Sequence, residues 1–382
     1  MPKPRSNVLG LSAAVALRAM GTSLYLPVFA LYGRTFTDSA LLVGLAFGAQ
    51  GFVQAALEIP YGVISDRVGR KRLIVLGNLC FITGSIICAL ASGILMLILG
   101  RAIQGAGSAT SALLAFVADT TGARERTRAM GQISIFFSLA FLGGVVLGPT
   151  LGAHFGIRAL FWGAALIGAL TTLYIIFSVH ELGESRRGVE LKQFGGLFRN
   201  REVVRASGSV LIATYASSSM FLLLPLLLRV YLPMGEFWKF LLPVVGLGVA
   251  AVAVLSRYAD RGRQRTTLLI AFVLLFIGGV LPTSPGYLSL FVGYVAFFMG
   301  FATAVSVLAS ILTLTAPAGR VGLATGFYNV AQASGYFLGG TVTGFLIQWS
   351  DEIALGVLAL LVLGGTALGL GFPRTFAPPA RS

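Results

Sequence analysis

Cysteine, histidine and acidic residues are scarce in this chain, and each shortage removes a class of function. Only 2 Cys and 2 His occur among 382 residues. Cys80 and Cys88 fall on one predicted helix, about 12 Å apart along its axis, which excludes a disulfide between them. With the two His they form no cluster of metal-ligand spacing, and no cofactor is expected. The chain contains no H-E-x-x-H, no G-x-x-x-x-G-K-[ST] phosphate loop and no evident Ser–His–Asp set. Enzymatic hydrolysis and ATP-driven work within this chain are therefore unsupported. Charge is the largest deficit: Asp, Glu, Lys and Arg make up 11% of residues, against about 25% in soluble domains.

Apolar residues fill that gap. They make up 56% of the chain, with a mean hydropathy of +0.89. A spanning helix needs about 20 apolar residues, so the chain holds about twelve spans and little else. The 49 Gly suit helix packing in lipid, where small residues let backbones approach. Spans are predicted near 8–32, 41–65, 73–92, 94–118, 129–153, 158–180, 204–228, 237–256, 266–281, 287–314, 321–347 and 353–372. A net charge of +15 raises the possibility of nucleic acid, but its placement argues for topology. With the N-terminus inside, 22 Lys and Arg lie on the inner side and 4 on the outer, the remaining two, Arg18 and Arg101, falling within spans. This positive-inside bias places both termini in the cytoplasm. A basic start before an apolar run also suits a signal peptide, but Arg18 and the run's continuation to Tyr32 favour a retained span.

The sequence repeats itself once. Asp66-Arg67-Val-Gly69-Arg70-Lys71-Arg72 has a weaker echo at Asp260-Arg261-Gly262-Arg263-Gln264-Arg265, and Phe141-Leu-Gly-Gly144 has one at Phe337-Leu-Gly-Gly340. The predicted architecture is all-α and polytopic: six spans in 1–180, a polar cytoplasmic linker over 181–203 and six spans in 204–382. Parallel repeats of this kind place a substrate site near the bilayer midplane, at the interface of the halves.

Between the second and third spans, Gly62-Val-Ile-Ser-Asp66-Arg67-Val-Gly69-Arg70-Lys71-Arg72 combines an acid, a tight turn and four cations. So abrupt a turn needs Gly69, because glycine alone adopts such backbone angles cheaply. The segment resembles the signature loop between helices 2 and 3 of the major facilitator superfamily of secondary transporters. Arg101-Ala-Ile-Gln104-Gly105-Ala-Gly107 resembles that family's second motif, and Gly144-Val-Val-Leu-Gly148-Pro149-Thr-Leu-Gly152 its exporter motif. Leu17-Arg18-Ala-Met-Gly21, Tyr25-Leu-Pro27 and Glu58-Ile-Pro60-Tyr-Gly62 resemble the YajR type of drug–proton antiporters, with the soluble C-terminal domain that such proteins can carry expected to be absent. The resemblance is close over roughly 10–180 and looser beyond. It implies a cytoplasmic latch of Gly62, Asp66, Arg67, Gly69, Arg70, Lys71 and Asp119, with Asp66 against the start of the eleventh span and Arg70 paired with Asp119. Asp260 has no evident acid partner in the 10–11 loop, so a second latch is doubtful. Gly144, Gly148 and Gly152 recur every four residues and so share one helix face; tight packing and a seal between halves, bent at Pro149, are compatible readings.

Charges inside lipid are costly and mark function. Three are predicted: Arg18, Glu58 and Arg101. Glu58 is the one acid in a span and hence the candidate proton carrier, since burial disfavours the charged carboxylate; an ion pair or polar brace is the structural alternative. The family resemblance assigns Arg101 to tuning proton coupling. Arg18 suits either an anionic substrate or a structural partner such as Glu58. In this family spans 1, 4, 7 and 10 line the cavity, which nominates Tyr25, Gln104, Tyr215, Met220, Phe298 and Ser306, with Asn329 and Gln332 nearby. The expected function is alternating-access transport, proton-coupled efflux of small amphipathic molecules. Uptake or exchange of a small organic anion is the second expectation. The expected partners are substrate, protons and lipid, without nucleic acid, and the expected state is a monomer in the cell membrane.

Overall fold

The computed structural model describes residues 4–107, 123–178, 200–316 and 321–373; of residues 4–9, 11, 12, 15, 65–67 and 123–135 it describes the helical backbone alone. These residues form helices α1 (Pro4–Ser23), α2 (Phe29–Arg34), α3 (Ala40–Val68), α4 (Arg70–Ala89), α5 (Ile94–Ala106), α6 (Ala123–Phe155) and α7 (Ile157–Ser178). The second half adds α8 (Arg201–Leu228), α9 (Phe237–Tyr258), α10 (Gln264–Val280), α11 (Tyr287–Thr315), α12 (Val321–Leu346) and α13 (Asp351–Leu370). Counting α1 with α2 as one, they supply twelve spans. Among the described residues, eight stretches are long and apolar enough to cross a membrane.

The first span is not the unbroken helix that the sequence suggests over 8–32. α1 ends at Ser23, a 3₁₀ turn covers Leu26–Val28, and α2 starts at Phe29. Pro27 lies in that turn; it has no N–H and cannot continue an α ladder. Tyr25 therefore sits at a helix break.

Glycines at positive φ make the abrupt turns, Gly69 and Gly262 among them. Gly69, at φ 99°, is the single residue between α3 and α4, and Gly262, at φ 83°, sits in the kink between α9 and α10. Basic side chains tie off helix ends by donating to carbonyls the helices leave free. Lys71 Nζ reaches Ile176 O of α7 at 2.8 Å, Arg158 Nη2 reaches Ala91 O at 3.1 Å, and Arg205 Nη1 reaches Gly371 O at 2.6 Å. Part of the basic charge is thus structural as well as topological.

Contacts divide the chain into two units. One comprises 1–38, 49–189 and 232–238; the other 39–48, 190–231 and 239–382. In the first, α1 packs on α6 and α7, and α4 on α5 and α7; in the second, α8 packs on α12 and α13, and α10 on α11 and α13. The same pairing recurs, and glycines define its register. A Cβ on Gly144 would strike Ser23 and the Met20 carbonyl, and one on Gly335 would strike Thr214 and the Leu211 carbonyl. Gly148 lies likewise on the Leu24 carbonyl, and Gly339 on that of Tyr215. One displacement, 191 residues, carries each member of the first set onto the second. For α4–α5 and α10–α11 the displacement is 193 to 194: Gly107 lies on Gly77 and Phe81 as Gly300 lies on Ala271 and Leu275.

This register corrects the Phe-Leu-Gly-Gly echo. Its displacement of 196 matches Gly144 to Gly340, but Gly144 faces α1 whereas Gly340 lies against Gly44 and Gly48 at the start of α3. Adjacent residues on a helix point about 100° apart, so Gly339 and Gly340 serve different neighbours.

Candidate functional site

The first unit carries a polar seam in an apolar interior. Arg101 and Gln104, three apart on α5, share a helix face and are buried, at 3% and 0% exposure. Arg101 Nη1 donates to Gln104 Oε1 at 2.8 Å and to Tyr25 Oη at 2.9 Å. Tyr25 in turn donates to Gln104 Oε1 at 3.3 Å. Gln104 Nε2 donates to Ser85 Oγ on α4 at 2.8 Å, and Ser85 Oγ donates in turn to the Phe81 carbonyl at 2.7 Å. Aromatic rings close around the cation. Arg101 lies 5.2 Å from the centroids of both Tyr25 and Phe29, and Tyr25 stacks on Phe161 of α7 at 4.5 Å. The break at Pro27 is what frees Tyr25 from regular helix and lets it meet α5.

Phe81 links this network to the second arginine. Arg18 lies 5.3 Å from the Phe81 centroid. Its Nη1 donates to Asn78 Oδ1 at 3.0 Å, and its Nη2 to the Gly107 carbonyl. The partners of Arg18 are thus neutral oxygens, and the suggested pairing with Glu58 is not what occupies it. Glu58 is buried on α3 at 1% exposure. Tyr61, three residues on, donates to the Ala106 carbonyl of α5.

The structure thus joins residues that sequence reasoning had separated: Arg101, read as a coupling group, and Tyr25 and Gln104, read as cavity lining, form one network. Ser85 and Asn78 were missed. Their signal was present, because Asn78, Phe81 and Ser85 recur at the three- and four-residue spacing of one α4 face.

The remaining predicted residues are dispersed. Tyr215 and Gln332 belong to the packing of α8 on α12, where Gly339 meets the Tyr215 carbonyl and Thr214 Oγ1 donates to Gln332 O at 2.9 Å. Met220 accepts from Tyr294 Oη at 2.9 Å. Phe298 is buried edge-on to Phe221 and Phe297, at 5.7 and 5.6 Å. Asn329 is buried and Ser306 exposed. Gly144 and Gly148 face α1, and Gly152 instead meets the Leu160 side chain of α7; α6 runs on through Pro149. In the latch segment, Gly69 makes its turn, Lys71 caps α7, and Gly62 has open space where a side chain would stand. Arg70 and Arg72 both have partners. The side chains of Asp66 and Arg67, and all of Asp119, lie outside the described residues.

The Major Facilitator Superfamily model matches residues 11–340. The chain is 32% identical over 355 residues to the inner membrane transport protein YajR of Escherichia coli K12, covering 90% of this chain and 78% of that protein. It is 27% identical over 271 residues to the class B tetracycline resistance protein of Escherichia coli, covering 67% of each. A bacterial homologue of the human lysosomal transporter Spinster, inward-facing and unoccupied, superposes with a TM-score of 0.79 at 16% identity over the whole of both chains. The human organic anion transporter MFSD10 gives 0.73 at 20% identity, covering 97% of this chain and all of its own. At those identities the two structures show the fold alone. With twelve spans, a duplicated helix pairing and these matches together, the chain belongs to the Major Facilitator Superfamily and is a multi-pass membrane transporter, not an enzyme.

Proposed function

We propose that the protein is a proton-coupled exporter of small amphipathic molecules, working by alternating access with both termini in the cytoplasm. The observation that carries this reading is the Glu58 carboxyl, buried at 1% exposure within a membrane span. A carboxyl enclosed there can exchange a proton as its surroundings change, as rocking between two states requires. The likeness to proteins named for tetracycline and multidrug resistance supports the direction of transport. Residues 1–180 and 204–382 are the bodies that move in this reading, joined by 181–203, and Asp66, Arg70 and Asp119 latch their cytoplasmic side. The protein acts as a monomer.

The test is proton release by the purified protein as candidate substrates are added, with wild type beside Glu58→Gln. A substrate-triggered signal that disappears in the variant is expected. A signal of unchanged size in Glu58→Gln refutes the assignment of the carrier, and binding without any proton signal in wild type refutes proton coupling. Exchange or uptake of a small organic anion is the second reading, favoured by two guanidinium groups within spans against one carboxyl.

A further inference from the structure

We propose that Arg18 and Asn78 form a subsite for an anionic group, so that the transported molecule carries a carboxylate or another small oxyanion. This rests on the transport reading above but not on its direction. Three observations converge on it.

The first is uncompensated charge. Arg18 is a permanent cation in the interior of a spanning helix, yet its acceptors are an amide oxygen and a backbone carbonyl. The titratable groups acting on it, Tyr25, Tyr61 and Cys80, are all uncharged at neutral pH. Among the described residues no carboxylate engages it. The Phe81 face offers a quadrupole and not a counter-charge, and buried charges are ordinarily paired.

The second is an idle donor beside the cation. The Arg18 donor fixes the orientation of the Asn78 amide, whose Oδ1 must face the guanidinium. Nδ2 then points elsewhere; it is buried, on a side chain 2% exposed, and has no hydrogen-bond partner. A buried donor left unmade is destabilising. A group with two acceptor oxygens and a negative charge satisfies Nδ2 and the guanidinium together, in the forked geometry that arginine favours.

The third is the duplicated half, which shows that the scaffold does not require this pair. The displacements of 191 and 194 residues carry Arg18 to Ser209 and Asn78 to Phe272. The same helix pairings form there with a serine and a phenylalanine, both fully buried. A cation retained in one half, where the fold manages without it in the other, serves something besides packing.

The experiment is calorimetric titration of the purified full-length protein in lipid nanodiscs. The probes share one ring system and differ in head group: 2-naphthoate, 2-naphthamide and 2-naphthamidinium. Wild type is expected to bind the carboxylate at least about tenfold more tightly than the amide, as a charge-assisted pair exceeds a neutral one. Asn78→Asp keeps the side-chain size and gives Arg18 an internal carboxylate, so it should fold at least as well while losing the preference. Arg18→Gln should lose it too. Equal or tighter binding of amide or amidinium, no measurable naphthoate binding, or a preference that survives Asn78→Asp overturns the proposal. Proton release triggered by the amidinium but not by naphthoate would overturn the subsite and leave the exporter standing. Naphthoate binding with no flux of any probe would do the reverse.

Discussion

Gln104→Leu tests whether the buried seam is held together as the distances imply. Gln104 accepts from Arg101 at 2.8 Å and donates to Ser85 at 2.8 Å, with Tyr25 a weaker third contact at 3.3 Å. Hydrogen bonds between spans average about 0.6 kcal/mol, because the unfolded state in lipid also finds partners. A bond to a charged group contributes about 1.5–3 kcal/mol in soluble proteins, and Arg101 is buried at 3% exposure. The Arg101 bond therefore dominates, and with Ser85 added the loss is about 2–3.5 kcal/mol. Gln104→Glu separates the terms: its carboxylate still accepts from Arg101 and loses only the donation to Ser85, so it should cost under about 1 kcal/mol. Reversible unfolding in mixed detergent micelles gives both numbers against wild type. If Leu and Glu destabilise equally, or Leu costs less than about 0.5 kcal/mol, the Arg101–Gln104 contact does not hold the seam and the reasoning fails.

Two further outcomes are expected. Gly148→Ala should destabilise by about 1–3 kcal/mol through overpacking, since its Cβ would strike the Leu24 carbonyl, whereas Gly143→Ala, with nothing within 4 Å, should be neutral or slightly stabilising; the same micelle unfolding assay ranks them. Asp66→Asn should lower transport while leaving expression and folding intact, read as flux into proteoliposomes against the yield of monodisperse protein, and unchanged flux removes the latch.

What could be read in advance, and what could not, divides along a physical line. Burial cost made Glu58 and Arg101 conspicuous, and turn sterics made Gly69 so; the structure buries the first two and puts the third at φ 99°. Neither cost nor turn sterics says which atom meets which across helices. Charge offers Arg18 an anionic substrate or a structural partner such as Glu58, although an amide and a carbonyl can seat a guanidinium through hydrogen bonds alone. Pro27 was in view, yet an apolar run from 8 to 32 outweighed it, and the break that carries Tyr25 to α5 was lost. The misleading echo at Phe337 has a similar origin. α12 carries glycines at 335, 339, 340 and 344, which form two faces, and a string comparison cannot tell which face a glycine serves.

The corrected register bears on how the two halves share the work. Gly84 lies against Gln104 as Gly278 lies against Phe297, which sets Phe297 in the place of Gln104 and Tyr294 in that of Arg101. The second half thus repeats the helix pairing and not the chemistry. Tyr294 spends its hydroxyl on the Met220 carbonyl and packs edge-on to Phe240 at 5.6 Å and Phe297 at 6.4 Å. Where the first half holds a guanidinium network, the second holds a neutral aromatic cluster. Duplicated bundles under a common packing constraint need the same small residues at the same crossings, since a Cβ there meets backbone. They have no common need for a buried cation, which lipid penalises wherever it stands. Packing is therefore what the halves share, and charge is where they differ. Under the anion subsite proposed above, that asymmetry assigns recognition of charge to the first half.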